Sequence, residues 1–272
     1  MSLHYKNPIG VFDSGVGGVS ILKELEKQLP FEDFIYLSDA KNLPYGNKSI
    51  KQIQDFCISN TEFLLQKKCK IIVVACNTAT TNAISLLRKK YPKTLFIGVE
   101  PALKPAAEAS KIGHVGVLAT AGTLKSTSFK SLKNRFGQHI KLTNVAGKGL
   151  VEWVEKGDFK HPDLLQLLQK YVYQLTEDPI DQLVLGCTHY PFLKQILIEL
   201  LPNHVQVIDS GKAVARQTRS ILEKNQLLKT SYQNSDKNSL GKYSFYATAN
   251  PSVLAHFTKL FFSSEPVIVV KI

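Results

Sequence analysis

No apolar run in this 272-residue sequence reaches the ~18 residues a membrane-spanning helix requires. The N-terminus, M-S-L-H-Y-K-N-P, lacks the apolar core of a secretory signal, and the expectation is a cytoplasmic protein. Cysteine is scarce. Four residues, Cys57, Cys69, Cys76 and Cys187, make no disulfide framework in a chain this long, and a reducing compartment suits them better. There is no C-x-x-C, which argues against a redox dithiol. His189 lies close to Cys187, but no fourth clear ligand accompanies them, so a structural zinc is not expected. The glycine-rich turn Asp13 to Gly18 is not G-x-G-x-x-G, because Ser20 takes the final glycine position. With no G-x-x-x-x-G-K-[ST] either, nucleotide binding has no support.

What is present is ordinary globular material: 44% apolar and 21% charged residues, enough for one large core or two modest ones. The net charge is +12, but the cations are scattered through Lys67-Lys68-Cys69-Lys70, Arg88-Lys89-Lys90 and Lys130 to Arg135. Solvated helix faces account for most of them. A field that draws in anionic substrates is a second reading. A nucleic-acid partner is disfavoured, since the basic runs carry no interleaved aromatics and no known module.

Strand-like and helix-like segments alternate along the chain. Strands are expected at 8–12, 34–37, 71–75, 95–99, 116–120, 140–145, 183–186, 205–208, 243–247 and 267–272. Helices are expected at 19–29, 48–68, after Cys76 to Lys90, 124–136, 150–155, 162–176, after Cys187 to about Leu201, 213–228 and a short one from Pro251. Residues 121–123 read as a turn and 229–242 as a mobile loop. The alternation predicts an α/β protein with mainly parallel sheets and helices on both faces. A weak repeat runs through it: G-V-F-D-S-G at Gly10 with G-V-L-A-T-A-G at Gly116, V-A-C-N-T at Val74 with L-G-C-T-H at Leu185, I-G-V-E at Ile97 with V-I-D-S at Val207. Offsets of about 110 residues in three places predict two related lobes.

Cys76 and Cys187 occupy matching places in that repeat. Each ends an apolar strand, and each is followed by hydrogen-bonding residues and a helix start. The carboxyl ends of strands are where open α/β sheets bind ligands. A helix N-terminus lowers a thiol's pKa below its usual ~8.5. Buried cysteine is otherwise a small core hydrophobe, and Cys57, on the apolar face of a helix with Ile50, Ile53, Phe56, Leu64 and Leu65, fits that description, as does Cys69. The turn at Asp13 to Gly18 offers backbone N–H groups and Ser14 to a small anion. A lone histidine is more often structural than catalytic, but His189 lies two residues after Cys187, beside a candidate thiol at the ligand end of a strand.

Six motifs occur in order: D-S-G-V-G-G (13–18), L-P-Y-G-N-K-S (43–49), A-C-N-T-A-T (75–80), G-V-E-P (98–101), A-T-A-G-T (119–123) and L-G-C-T-H-Y-P (185–191). Together they resemble glutamate racemases, cofactor-independent members of the aspartate/glutamate racemase superfamily that make D-glutamate for bacterial peptidoglycan. Phe192, where the family often has leucine, and Asn42-Leu43 are small departures. The resemblance implies two similar three-layer α/β domains related by a pseudo-two-fold axis, with the active site in the cleft between them. Residues 1–97 and 210–272 would form the first domain and 98–209 an inserted second one. Cys76 and Cys187 would be the acid/base groups, with Asp13 assisting Cys76, His189 assisting Cys187, and Glu152 a further candidate. Ser14, Tyr45, Gly46, Asn77, Thr78, Thr120, Thr123 and Thr188, with Asp13 and His189, would bind the substrate. The implied partner is glutamate, with no cofactor, metal or membrane, and a homodimer is allowed.

The chemistry suits such a pair. Racemisation removes a proton from one face of Cα and returns one to the other, so one group must be a base while its opposite is an acid. Three rivals compete with this reading: an aspartate racemase or other two-cysteine isomerase, a non-catalytic sensor of acidic amino acids, and a nucleic-acid binder.

Overall fold

The run Ile71-Ile72-Val73-Val74 forms a strand because β-branched residues suit extended backbone, and burial on both faces of a parallel sheet needs no polar alternation. All four side chains are fully buried, contributing roughly 1.5–3 kcal/mol each before entropy costs. In this computed structural model, which describes residues 4–137, 139–230, 240–262 and 269–272, that strand lies inside a six-stranded parallel sheet. Its members are β1 (Ile9–Asp13), β2 (Phe34–Ser38), β3 (Ile71–Val74) and β4 (Leu95–Gly98), with β9 (Tyr243–Ala247) and β10 (Val269–Lys271) from the end of the chain. A second parallel sheet holds β5 (His114–Ala119), β6 (Lys141–Ala146), β7 (Gln182–Gly186) and β8 (Gln206–Ile208).

The strand orders are β10-β9-β2-β1-β3-β4 and β6-β5-β7-β8. Four strands of the first sheet therefore repeat the order of the second, with β1 matching β5 and β3 matching β7. The α/β class and the two similar lobes read from the sequence are what the structure contains. The registers agree as well. Phe12 lies opposite Val74, and Leu118 lies opposite Leu185, so Asp13 and Ala119 end equivalent strands.

The helices are α1 (Val19–Gln28), α2 (Ile50–Gln66), α3 (Asn77–Lys90), α4 (Leu103–Ala109), α5 (Ala121–Lys125), α6 (Thr127–Phe136), α7 (Leu150–Lys156), α8 (Pro162–Thr176), α9 (Lys194–Leu200), α10 (Gly211–Lys224) and α11 (Ser252–Phe261). Ser49 and Gln52 form a reciprocal capping box at the start of α2. Pro162 opens α8, where its missing N–H costs nothing. The chain crosses between lobes after β4 and again before α10, and the Ser210 hydroxyl donates to the Glu100 carbonyl where the crossings meet.

Several local expectations need correction. Residues 121–123 are not a free turn but the first turn of α5, capped by Thr120, whose Oγ1 accepts from the Thr123 N–H. The helix expected at 124–136 is broken at Ser126, which ends α5 and caps α6. The chain after Cys187 begins as a 3₁₀ turn, Tyr190–Leu193, before α9. Ile50 points outward at 59% exposure because it occupies the first turn of α2, beyond the sheet. Helix α4 was not foreseen. The loop expected at 229–242 falls largely outside the described residues, as do the first two residues of the last expected strand. Among the described residues no helix is long and apolar enough to cross a membrane.

Candidate active site

A cavity of about 270 Å³ lies between the lobes, at the carboxyl ends of both sheets' central strands. Ser14, Tyr45, Gly46, Cys76, Asn77, Thr78, Thr120, Glu152, Cys187, Thr188 and His189 all line it. Asp13 and Thr123, expected to touch substrate, do not. Both are fully buried behind the wall, Thr123 holding Thr120 through a 2.9 Å hydroxyl contact. Ala121, Ala146 to Gly149 and Val151 complete the wall on the second lobe.

On the first lobe, Cys76 leaves β3 in an extended conformation and caps α3, its sulfur accepting from the Ala79 N–H at 3.5 Å. The Ser14 hydroxyl lies 3.7 Å from that sulfur and 3.4 Å from Asp13 Oδ1, so Ser14 bridges Asp13 to the thiol. Asp13 Oδ1 also accepts from the Gly15 N–H at 2.7 Å, and Oδ2 accepts from the Thr188 hydroxyl of the opposite lobe at 2.8 Å. Burial raises the Asp13 pKa to about 6, against the opposing pull of His189 and of the Gly15 and Thr188 donors. The Cys76 thiol is pushed up as well, first by burial and then by the Asp13 charge. The lowering expected at a helix N-terminus is present in the Ala79 N–H, but burial outweighs it.

On the second lobe, Cys187 leaves β7, and its sulfur lies 3.8 Å from His189 Nδ1. The far ring nitrogen, Nε2, is 2.7 Å from Glu155 Oε1. Burial opposes a charge on this ring. The hydrogen bonds to Cys187 and Glu155, and the electrostatic attraction between the ring and those groups, overcome it and raise the His189 pKa well above the usual value.

Glu155 is the residue the sequence reading missed. Glu152 is exposed on the cavity wall, whereas Glu155 is mostly buried and holds the histidine. A faint signal existed: Glu155 follows the buried Val151 by four positions, beside the apolar stripe of α7. Glu155 Oε1 also accepts from the Val16 N–H at 2.8 Å. The glycine-rich turn is thus no empty anion cradle, since carboxylates of the protein itself take its Gly15 and Val16 N–H groups. Its glycines serve close approach rather than unusual φ. A Cβ on Gly15 would fall on the Glu155 carboxylate, and one on Gly17 on the His189 ring.

Tyrosine hydroxyls fix the loops on both sides. Tyr36 donates to the Gly15 carbonyl at 2.7 Å, and Tyr190 to that of Gly147 at 3.0 Å. Tyr45 gives its hydroxyl to Asp39 at 2.5 Å and accepts from Asn60 at 3.1 Å, so that hydroxyl is already committed within the protein. Thr78 and Thr120 meet across the lobes, hydroxyl to hydroxyl, at 2.8 Å. Among the described residues no group of three or more His, Cys, Asp or Glu side chains is placed to hold a metal.

Two thiols thus line one cavity, each at the end of an equivalent strand and each with different polar partners behind it. The family profile described as Asp/Glu/Hydantoin racemase matches residues 9–218, and the chain belongs to that family. Within it, the chain groups with the glutamate racemases. It is 48% identical to the glutamate racemase of Ectopseudomonas mendocina over 223 residues, 82% of this chain and 85% of that protein. Among solved structures, the Francisella tularensis glutamate racemase, in complex with D-glutamate, superposes with a TM-score of 0.84 at 29% identity, covering 98% of each chain. The Escherichia coli glutamate racemase, with L-glutamate and the activator UDP-MurNAc-ala, superposes at 0.83 with 30% identity and 97% of each chain covered.

Proposed function

We propose that this protein interconverts L- and D-glutamate without a cofactor, using Cys76 and Cys187 as the two proton-transfer groups. The observation that carries the reading is the placement of both cysteines at the ends of equivalent strands, on one cavity. In each direction one thiolate removes the α-proton and the opposite thiol supplies another to the other face, so protons balance over the turnover. Asp13, through Ser14, adjusts the Cys76 side. His189, held by Glu155, exchanges protons with Cys187.

General acid–base catalysis supplies ~10²–10⁴-fold, short of the ~10⁶-fold or more that enzymes achieve. The remainder falls to fixed donors around the α-carboxylate, where negative charge develops. Asn77 and Thr78 line the cavity beside the thiols and are assigned that task, as is the backbone N–H of Thr188, whose hydroxyl already donates to Asp13. The complexes of the Francisella and Escherichia racemases with D- and L-glutamate support glutamate as substrate. The reading includes a cytoplasmic enzyme supplying D-glutamate for peptidoglycan, with residues 98–209 forming a domain inserted into the first.

Circular dichroism of L-glutamate with purified protein and no added cofactor tests the proposal. Decay of the signal to zero is expected. A stable signal with glutamate, or decay with aspartate alone, overturns it.

A further inference from the structure

The cavity wall carries one lysine or arginine, Lys148, and one aspartate or glutamate, Glu152. A dicarboxylate substrate brings two negative charges, the hydroxyl and amide groups of the other lining residues are neutral, and the His189 ring is already engaged by Cys187 and Glu155. Lys148 lies in the turn between β6 and α7, and its backbone is held from several directions. The Gly147 N–H donates to the Ala119 carbonyl and the Lys148 N–H to that of Ala146. The Gly147 carbonyl accepts from Tyr190, and the Lys148 carbonyl accepts from Tyr171 at 2.6 Å. Gly149, at φ +88°, permits the sharp entry into α7. The Lys148 side chain is exposed and makes no hydrogen bond or ion pair among the described residues. A rigid turn therefore presents an unspent cation at the cavity.

Glu152 follows Lys148 by four positions on the same wall. Its carboxylate would repel a second carboxylate unless a cation stood between them. We propose that Lys148 is a substrate-selecting residue whose ammonium takes the side-chain carboxylate of the bound amino acid. The proposal rests on the dicarboxylate racemase reading above. Lysine is a mobile point charge on a long stem, and here it touches neither sulfur. Its contact with the remote carboxylate is the same before and during proton transfer, so its loss appears in KM rather than kcat.

The test compares wild type, Lys148→Met and Lys148→Arg by racemisation kinetics and by calorimetric binding of glutarate, a dicarboxylate probe that needs no turnover. Lys148→Met is expected to raise KM for glutamate, and Kd for glutarate, about five-fold, the scale of a partly exposed charge pair. Lys148→Arg should stay within about two-fold of wild type, and added salt should weaken glutarate binding to wild type more than to Lys148→Met. Unchanged glutarate binding in Lys148→Met, a loss confined to kcat, or Lys148→Arg as impaired as Lys148→Met overturns the assignment. A wild type that binds glutarate but leaves glutamate unracemised overturns the racemase reading instead, and the glutarate comparison still decides the role of Lys148.

Discussion

Cys76 ends β3 and Cys187 ends β7, strands that hold the same place in their sheets. Behind Cys76 stand a hydroxyl and then a carboxylate, Ser14 and Asp13. Behind Cys187 stand an imidazole and then a carboxylate, His189 and Glu155. The repeat does not extend to these partners. Ala119 ends the strand equivalent to that of Asp13, and Thr78, two residues after Cys76, stands where His189 follows Cys187. The shared fold thus places two sulfurs at one cavity, while the unshared side chains make their electrostatic surroundings different. Burial beside a carboxylate favours the neutral thiol at Cys76, and a charged ring is favoured beside Cys187. Two identical half-sites would offer no such distinction between acid and base.

The largest expected effect comes from deleting either thiol. Cys76→Ala and Cys187→Ala should each lose racemisation by ~10²–10⁴-fold or more. Each should still eliminate from a β-substituted glutamate analogue, but from opposite enantiomers, because elimination needs only one base. Full racemase activity in either variant breaks the two-base scheme.

The carboxylates behind the thiols sharpen the comparison. Asp13→Asn and Glu155→Gln should each slow racemisation by ~10–10²-fold, within the range of acid–base assistance. Racemisation has an equilibrium constant of one, so kcat/KM must fall equally in both directions, and the affected side is visible only in the elimination half-reaction. Asp13→Asn should impair the enantiomer served by Cys76, and Glu155→Gln the one served by Cys187. The reverse pattern would exchange the assignments. Glu152→Gln should leave this enantiomer preference as it is.

With its pKa raised to about 6, Asp13 ionises as pH rises through that value. An acid limb near pH 6 in kcat/KM is expected, absent from Asp13→Asn. The stability linkage has a definite sign. The folded state holds this proton more tightly than the unfolded chain, so its contribution is full below the unfolded pKa and is lost as pH rises through the folded one. Urea unfolding should therefore show wild type losing about 1 kcal/mol relative to Asp13→Asn between pH 5 and pH 8. A constant difference would mean that Asp13 titrates normally.

The smallest effects concern the mirrored tyrosines. Tyr36→Phe and Tyr190→Phe each leave a loop carbonyl without its hydroxyl donor, at about 1–2 kcal/mol of stability. Similar losses in thermal unfolding would show that the lobes fix their loops equally well. A much larger loss for one would identify the lobe whose loop depends on its pin.

The central strands were legible because buried parallel strands read as apolar runs, and because each thiol follows such a run directly. Helix α4 was hidden by Pro105 near its start and by its seven-residue length. Gly122 concealed α5 in the same way, since glycine argues against helix. The choice between Glu152 and Glu155 depended on a histidine more than thirty residues away, and helical period alone decides only which side of α7 each faces. The turn at Asp13 to Gly18 was recognised as a turn, but the reason for Gly15 and Gly17 lies in the other lobe, where Glu155 and His189 need the space.

That turn also ties the two lobes together through their buried carboxylates. Glu155 is held to the Val16 N–H, and Asp13 to the Thr188 hydroxyl, only while the lobes touch. Any separation of the lobes severs both ties at once and takes a stabilising donor from each carboxylate. Each thiol keeps its own partners on its own lobe, Ser14 and Asp13 behind Cys76 and His189 and Glu155 behind Cys187, so what separation removes is one hydrogen-bond donor from each carboxylate that stands behind a thiol.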